Sequence, residues 1–191
     1  MITVVIPTLD SERRLVPTLS ALVRGATEGL VREVLLADAG SRDGTRAIAE
    51  AAGCEMVHGP VDEGSRLAAA MEIARSEWLM IVDPGAILDD VWTREVRLFL
   101  AGNDASTERV AAFRMAIDAE GATHRVRERL AAARVAILGR PRPEEGLLIA
   151  KRFYQSLGGF FPGREARGDL LRRITRKRFT ILRTRISLPA R

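Results

Sequence analysis

A single cysteine, Cys54, rules out any intrachain disulfide in this 191-residue chain, in keeping with a reducing, cytosolic setting. Its position at the start of a strand reads as a small buried hydrophobe. Only two histidines are present, His58 and His124, and they stand far apart in sequence. Zinc is therefore not expected, and both read as surface or loop residues. No apolar run approaches the roughly 18 residues that a membrane span requires. The N-terminus opens directly on strand-like sequence, MITVVIPT, without a basic region followed by a cleavage site. Helix-turn-helix, zinc-finger and RNP motifs are missing, so nucleic acid is not an expected partner. There is no internal repeat, low-complexity segment or linker. What is present is a globular balance, 47% hydrophobic and 29% charged, with length for one domain and too little for two. The expected localisation is cytoplasmic.

Charge is distributed unevenly. From Arg164 to Arg191 ten basic residues face two acidic ones, a net of +8, while the whole chain carries +5. Such a tail can face nucleic acid, anionic lipid or phosphorylated molecules. A solvated basic face explains it equally well.

Hydrophobic periodicity organises the first hundred residues. "ITVVIP", "EVLLAD", "CEMVH" and "EWLMIVD" read as strands. Between them lie helices marked by Leu15, Leu19, Leu22 and Val23, by the GTRAIAEAA segment, and by Leu67, Met71 and Ala74. Asp10 or Ser11 is the expected cap of the first helix, Asp43 of the second, and a fourth helix should start near Asp89 or Asp90. Regular alternation predicts an α/β fold, a Rossmann-like, mostly parallel sheet with helices on both faces. In the second half, residues 110–118 read as a strand, and Val126, Leu130, Ala133 and Ile137 mark an Arg-rich helix. Its Arg125, Arg127 and Arg129 read as a solvated face. "EGLLIAKRFYQSLGGF" gives a short strand, a short helix and a Gly-Gly stop. The tail supplies a helix over about 168–177 and a last strand.

Three polar clusters fall at strand C-terminal ends, where ligands bind in open parallel sheets: "PTLDSE", "DAGSRDGT" and "DPG". At the end of its strand, Asp38 is placed to accept from a base N–H or a ribose hydroxyl. Gly40 and Gly44 permit a tight turn, while Ser41 and Asp43 can cap the next helix. A plain capped strand–turn–helix link is the alternative for this cluster.

Together, "VVIPTLDSERRL", "EVLLADAGSRDGT" and "EWLMIVDPGAIL" resemble the successive signatures of family-2 glycosyltransferases, of the A-type nucleotide-diphospho-sugar transferase fold. "GRPRPEEGLLIAKRFYQSLGGF" resembles the acceptor-side segment of small bacterial members. The resemblance implies one domain over 1–191, with a nucleotide-binding half (1–101) and an acceptor half (102–191). It implies a nucleotide pocket lined by Pro7, Thr8, Asp10, Glu12, Asp38, Gly40, Ser41, Arg66 and Asp83. Asp83 matches the first carboxylate of the Asp-x-Asp motif, which binds ribose and a divalent cation, Mg²⁺ or Mn²⁺.

The chain departs from the family pattern at informative places. Gly85 stands where the second motif Asp is expected, and Arg66 and Ala68 where small relatives often have Gln and Asn. The acidic pair that supplies the catalytic base falls on Ala166–Arg167. Asp169 and Glu165 lie close by out of register, and Glu144 and Glu145 lie at the acceptor pocket by family position, leaving four candidates for the base. General-base help is worth about 10² to 10⁴ in rate, so its loss favours an acceptor that is already an anion, such as a phosphorylated molecule or anionic lipid. The expected function is transfer of a sugar from a nucleotide-diphospho-sugar, with inversion and metal assistance, at a peripheral membrane site if the tail meets lipid. The alternative is a catalytically silent relative that binds nucleotide or a partner.

Overall fold

β-Branched runs alternating with amphipathic segments produce the series β1 (Ile2–Thr8), α1 (Glu12–Thr27), β2 (Val31–Asp38), α2 (Thr45–Ala51), β3 (Glu55–His58), α3 (Glu63–Ile73) and β4 (Trp78–Ile81). The structure is a computed structural model that describes residues 1–116, 140–163 and 165–188. Every residue of β1 is buried, as expected of a strand with a neighbour on each side and both faces covered. The chain continues with β5 (Ile87–Leu88), α4 (Trp92–Ala101), β6 (Val110–Ala116), a 3₁₀ turn (Pro143–Glu145), β7 (Leu147–Ala150), α5 (Lys151–Ser156), α6 (Ala166–Arg173), a second 3₁₀ turn (Arg176–Arg178) and β8 (Phe179–Ser187).

The eight strands among the described residues join one sheet in the order β3-β2-β1-β4-β7-β6-β8-β5. The first four are mutually parallel. β7 then runs antiparallel to both β4 and β6, and β5 antiparallel to β8. This mixed α/β sheet agrees with the mostly parallel expectation, and its one reversal beside β4 has a functional consequence. Because Ile81 pairs with Leu147, the start of β7 lies next to the end of β4. The Pro143–Glu145 turn therefore opens at the same sheet end as Asp83.

Local differences from the sequence reading have identifiable causes. α4 begins at Trp92 with Val91 at its cap position, and Asp89 serves both the turn before it, where Oδ1 accepts from the Val91 N–H at 3.2 Å, and β8. Its carboxylate accepts from the Thr184 hydroxyl and, at 2.8 Å, from the Arg185 N–H, fastening β8 to β5. The tail helix ends at Arg173, where Ile174 turns extended with ψ 129°. Ser11 caps α1 by position but makes no side-chain cap bond; the Glu12 N–H goes instead to Asp43 Oδ2 at 2.9 Å. The strand expected over 110–118 is described as far as Ala116. The helix of Val126, Leu130, Ala133 and Ile137, with Arg125, Arg127, Arg129 and His124, lies outside the described residues. Among the described residues no helix is long and apolar enough to cross a membrane.

Candidate active site

β1 and β2 end in register, Thr8 beside Asp38, so the PTLDSE and DAGSRDGT loops leave the sheet side by side. Each uses the other to satisfy its backbone. Ser41 Oγ accepts from the Asp10 N–H at 2.9 Å, and Asp10 Oδ1 accepts from the Arg42 N–H at 2.8 Å. Glu12 Oε2 accepts from the Gly44 N–H at 3.0 Å, and the Ser11 N–H donates to Thr45 Oγ1 at 2.8 Å. Asp43 closes the set by accepting from Glu12 N–H and, at 3.0 Å, from Thr45 N–H. Asp10 takes a positive φ of 45°, tolerated by Asp better than by most residues. The Thr8 carbonyl, next to Pro7, accepts from the Ala39 N–H at 2.9 Å.

Asp38 lies at the centre of this lacing and is only 1% exposed. Oδ1 accepts from Thr8 Oγ1 at 2.9 Å and from Ser41 Oγ at 2.5 Å. Oδ2 accepts from the N–H groups of Gly40 at 2.9 Å and Ser41 at 2.8 Å. Burial pushes the Asp38 pKa up, but the bonds from Ser41, Thr8 and Gly40 outweigh it and hold the carboxyl below its usual value. A carboxylate has about four lone-pair sites, and all are in use. Asp38 thus holds the donors of its own loop. Asp10 and Glu12, both exposed, each have one carboxylate oxygen without a partner among the described residues. The side chain of His58, on the neighbouring strand, is exposed with Nδ1 3.9 Å from Asp38 Oδ2.

Asp83 leaves the end of β4 toward the acceptor half. Its Oδ1 lies 2.8 Å from Arg167 Nη1, and Arg167 Nε lies 3.0 Å from Glu63 Oε1. The same Nη1 is 3.4 Å from the Pro143 carbonyl. All three charged side chains are less than a fifth exposed. α6 buries Ala166, Leu170 and Leu171, and Arg167 shares that inward face through its i+3 and i+4 relation to the two leucines. The place where the family pattern expects an acidic pair is thus filled by the opposite charge. Burial raises the Asp83 pKa by more than Arg167 lowers it, with Glu144 adding a further upward push and Arg14 a downward one.

Glu63 reaches Arg167 because the start of α3 is docked on the segment after Gly-Gly-Phe. The Gly64 N–H donates to the Gly163 carbonyl at 3.1 Å, and Asp62 accepts from the Ser65 and Gly163 N–H groups. A Cβ at Gly64 would lie 1.9 Å from the Phe161 carbonyl oxygen, so only glycine allows this approach. Gly85, where a second motif carboxylate was expected, takes φ 95° and donates its N–H to Thr18 Oγ1 at 2.8 Å. A backbone in that region favours glycine.

The four candidates for a catalytic base separate clearly. Glu165 is 85% exposed and faces Arg172 at 3.8 Å. Asp169 pairs with Arg173 at 3.1 Å, whose guanidinium also bonds the Leu157 and Gly159 carbonyls and covers the Phe161 ring. Neither has a bond to the Asp83 group. The turn before β7 brings Glu144 within electrostatic reach of Asp83, and Glu145 follows in the same turn. Glu144 is exposed. Glu145 is 6% exposed, and burial raises its pKa to about 7 against weaker downward pulls from the Arg142 N–H and charge. Arg66, also buried, donates Nη1 to the Pro60 and Val61 carbonyls at 3.3 and 2.8 Å, leaving Nε without a partner among the described residues.

Nothing in sequence spacing marked Glu63, Arg14 or Thr18 for this site; for Arg167 the one signal was its place where the acidic pair is expected. Among the described residues no group of three or more His, Cys, Asp or Glu could hold a metal. Mg²⁺ takes one or two protein carboxylates beside substrate phosphates and keeps waters. Asp83, a single carboxylate paired with Arg167, could fit a divalent cation only beside a phosphorylated ligand.

Laced polar loops at parallel strand ends, with buried charges opposite, form the candidate site of this α/β fold. The profile of the family described as Glycosyl transferase family 2 matches residues 3–117, more than half of the chain. The chain belongs to that family, and its activity class is glycosyl transfer. Among solved structures it is similar to glucosyl-3-phosphoglycerate synthase from Mycobacterium tuberculosis, at 21% identity and TM-score 0.72 over 100% of this chain and 72% of that one. The same enzyme in complex with Mn²⁺, UDP and glucosyl-3-phosphoglycerate gives 20%, 0.68, 100% and 71%. Its complex with Mn²⁺, UDP-glucose and phosphoglyceric acid gives 21%, 0.66, 100% and 72%. These likenesses establish the fold. No curated protein sequence matches the chain.

Proposed function

We propose that this glycosyltransferase moves a sugar from a nucleotide-diphospho-sugar to a phosphorylated acceptor, with inversion at the anomeric carbon. The observation that carries the reading is the meeting, at one sheet end, of the laced nucleotide-side loops, Asp83 and the Pro143–Glu145 turn. In this assignment residues 1–101 bind the donor and 102–191 the acceptor, within one domain. Asp38, Gly40 and Ser41 hold the pocket in shape, with Pro7 and Thr8 forming its floor. The unpaired oxygens of Asp10 and Glu12 contact the nucleoside, and Arg66 lines the pocket through its remaining N–H groups. A divalent cation, Mg²⁺ or Mn²⁺, would be held by Asp83 and supplies charge to the leaving diphosphate.

Transfer forms one bond, from an acceptor oxygen to the anomeric carbon, and breaks the bond from that carbon to the diphosphate oxygen. Glu145 takes the acceptor proton. A group with a pKa near neutrality is suited to that task, and Glu145 belongs to the turn that opens at the Asp83 end of the sheet. The similar enzyme's complexes with UDP-glucose and phosphoglyceric acid support a phosphorylated acceptor, which Arg142 and the exposed basic face of β8 can attract. On β8, Leu182, Thr184 and Ile186 point inward and Arg183 and Arg185 outward, as strand alternation dictates. That face, with Lys177, also suits peripheral contact of a cytoplasmic protein with anionic lipid, although Arg167, Arg172, Arg173 and Arg178 are already paired with carboxylates.

The test is a thermal-shift screen of nucleoside diphosphates and nucleotide sugars, followed by mass-spectrometric detection of transfer to phosphorylated and neutral acceptors. Saturation at about a hundred times Kd adds about 2.7 kcal/mol of stability. Failure of every nucleotide to shift the melting temperature would refute donor binding, and transfer only to neutral acceptors would refute the acceptor assignment.

A further inference from the structure

We propose that Arg167 is an exchangeable counter-ion, which excludes divalent cations from Asp83 in the unliganded chain and moves onto the diphosphate when the donor binds. The first half rests on the geometry alone; the second rests on the donor reading above.

The Arg167 guanidinium has five N–H donors. Nε is given to Glu63 and Nη1 to Asp83 and Pro143 O, while Nη2 has no partner among the described residues. An ammonium could not hold two carboxylates from different elements in this planar way. With Nη1 2.8 Å from Asp83 Oδ1, a cation and the guanidinium compete for the charge of one carboxylate. A divalent ion arriving alone must displace a buried, hydrogen-bonded pair, and one carboxylate is a poor reward for its lost waters.

A diphosphate changes that balance. Its oxygens match the guanidinium fork bidentately and carry more charge than a carboxylate. Once Arg167 has turned to them, Asp83 is a buried carboxylate without a partner. A cation that touches both Asp83 and the phosphates then restores neutrality. Cation and nucleotide should consequently raise each other's affinity by the same factor, as linkage requires. Glu63 holds Nε as the pivot, so a rotation of the side chain suffices.

The experiment measures Mn²⁺ binding by the paramagnetic resonance signal of the free ion, and UDP binding by calorimetry. It compares wild type with Arg167→Gln, Arg167→Met and the double variant Arg167→Gln/Asp83→Asn. With Mn²⁺ alone, the two single variants should bind at least tenfold more tightly than wild type, and the double variant should lose the gain. With UDP in the presence of EDTA, both single variants should bind at least tenfold more weakly than wild type. In wild type, UDP should raise Mn²⁺ affinity at least tenfold, a measurement that stands even if the variants fail to fold. Equal Mn²⁺ binding by wild type and the single variants overturns the counter-ion role. Equal UDP binding in EDTA overturns the transfer of Arg167 to the diphosphate. If wild type binds no nucleoside diphosphate at all, the donor reading fails and that transfer with it, while the comparison with Mn²⁺ alone still judges the first half.

Discussion

Replacing Asp38 by alanine removes the acceptor of four hydrogen bonds. The Thr8 hydroxyl, 1% exposed, would be left buried without a partner, at a cost of about 1–3 kcal/mol. The Gly40 and Ser41 N–H groups lose charge-assisted bonds but are partly open, so water recovers some of that energy. A total near 3 kcal/mol follows, equivalent to about 6–12 °C in melting temperature for a domain of this size. Asp38→Asn should fall close to Asp38→Ala, because an amide can offer one oxygen but sets an NH₂ against two N–H donors. Thr8→Val, which removes only one donor, should cost about 1 kcal/mol. Proton linkage supplies a second signature. The folded carboxyl titrates below its usual 3.8, so its contribution is present above that value and is lost as pH falls through the folded pKa. Wild type should lose stability there, and Asp38→Asn should lack that part of the acid limb. Urea melts from pH 2 to 7 measure both effects. An Asp38→Ala protein within 0.5 kcal/mol of wild type at pH 7 would refute the view that the carboxylate organises the loop.

Other perturbations are equally direct. Glu145→Gln should lower the transfer rate by about 10² to 10⁴, and the wild-type rate should rise with pH around a midpoint near 7, a limb absent from the variant; an unchanged profile would exclude Glu145 as base. Because that pKa is raised from 4.5 to about 7, wild type should lose stability as pH rises between those values, and calorimetric melts of Glu145→Gln should be flatter there. Gly85→Asp should destabilise by about 1–3 kcal/mol for its positive φ, in chemical denaturation; a variant of wild-type stability that binds metal more tightly would contradict this. Gly64→Ala should separate α3 from the Phe161 carbonyl, costing about 1–3 kcal/mol and weakening the Glu63–Arg167 contact, visible as a changed Mn²⁺ affinity.

The nucleotide-side loops were legible because β1, β2 and β4 are apolar runs that end abruptly in Thr8, Asp38 and Asp83, and a parallel sheet gathers such ends. Direction was harder to read. Leu147–Ala150 is a short apolar run that carries no mark of its polarity, so the antiparallel course that brings the Pro143–Glu145 turn to the Asp83 end of the sheet was invisible. The helical spacing of α6 could show that Arg167 shares a face with Leu170 and Leu171, but not which carboxylate that face meets. The strand-end position of Asp38 is legible in sequence, whereas the way the following Gly40 and Ser41 fold their donors back onto it is not. Gly85 was noticed as a missing ligand; its positive φ gives the backbone reason.

The separations along the chain imply an order of assembly. The contacts that lace the two loops join residues about 30 positions apart, whereas Arg167 lies 104 positions from Glu63 and also reaches Asp83. During synthesis, which proceeds from the N-terminus, the donor side can take shape while Asp83 and Glu63 still await their cation. Until α6 emerges, two carboxylates destined for burial must remain hydrated or bind whatever cation is at hand. If Arg167 keeps divalent ions from Asp83 in the finished, unliganded protein, as proposed above, their easiest access to it is in the nascent one. Refolding in the presence and absence of Mn²⁺ would then differ in rate even where the final states are the same.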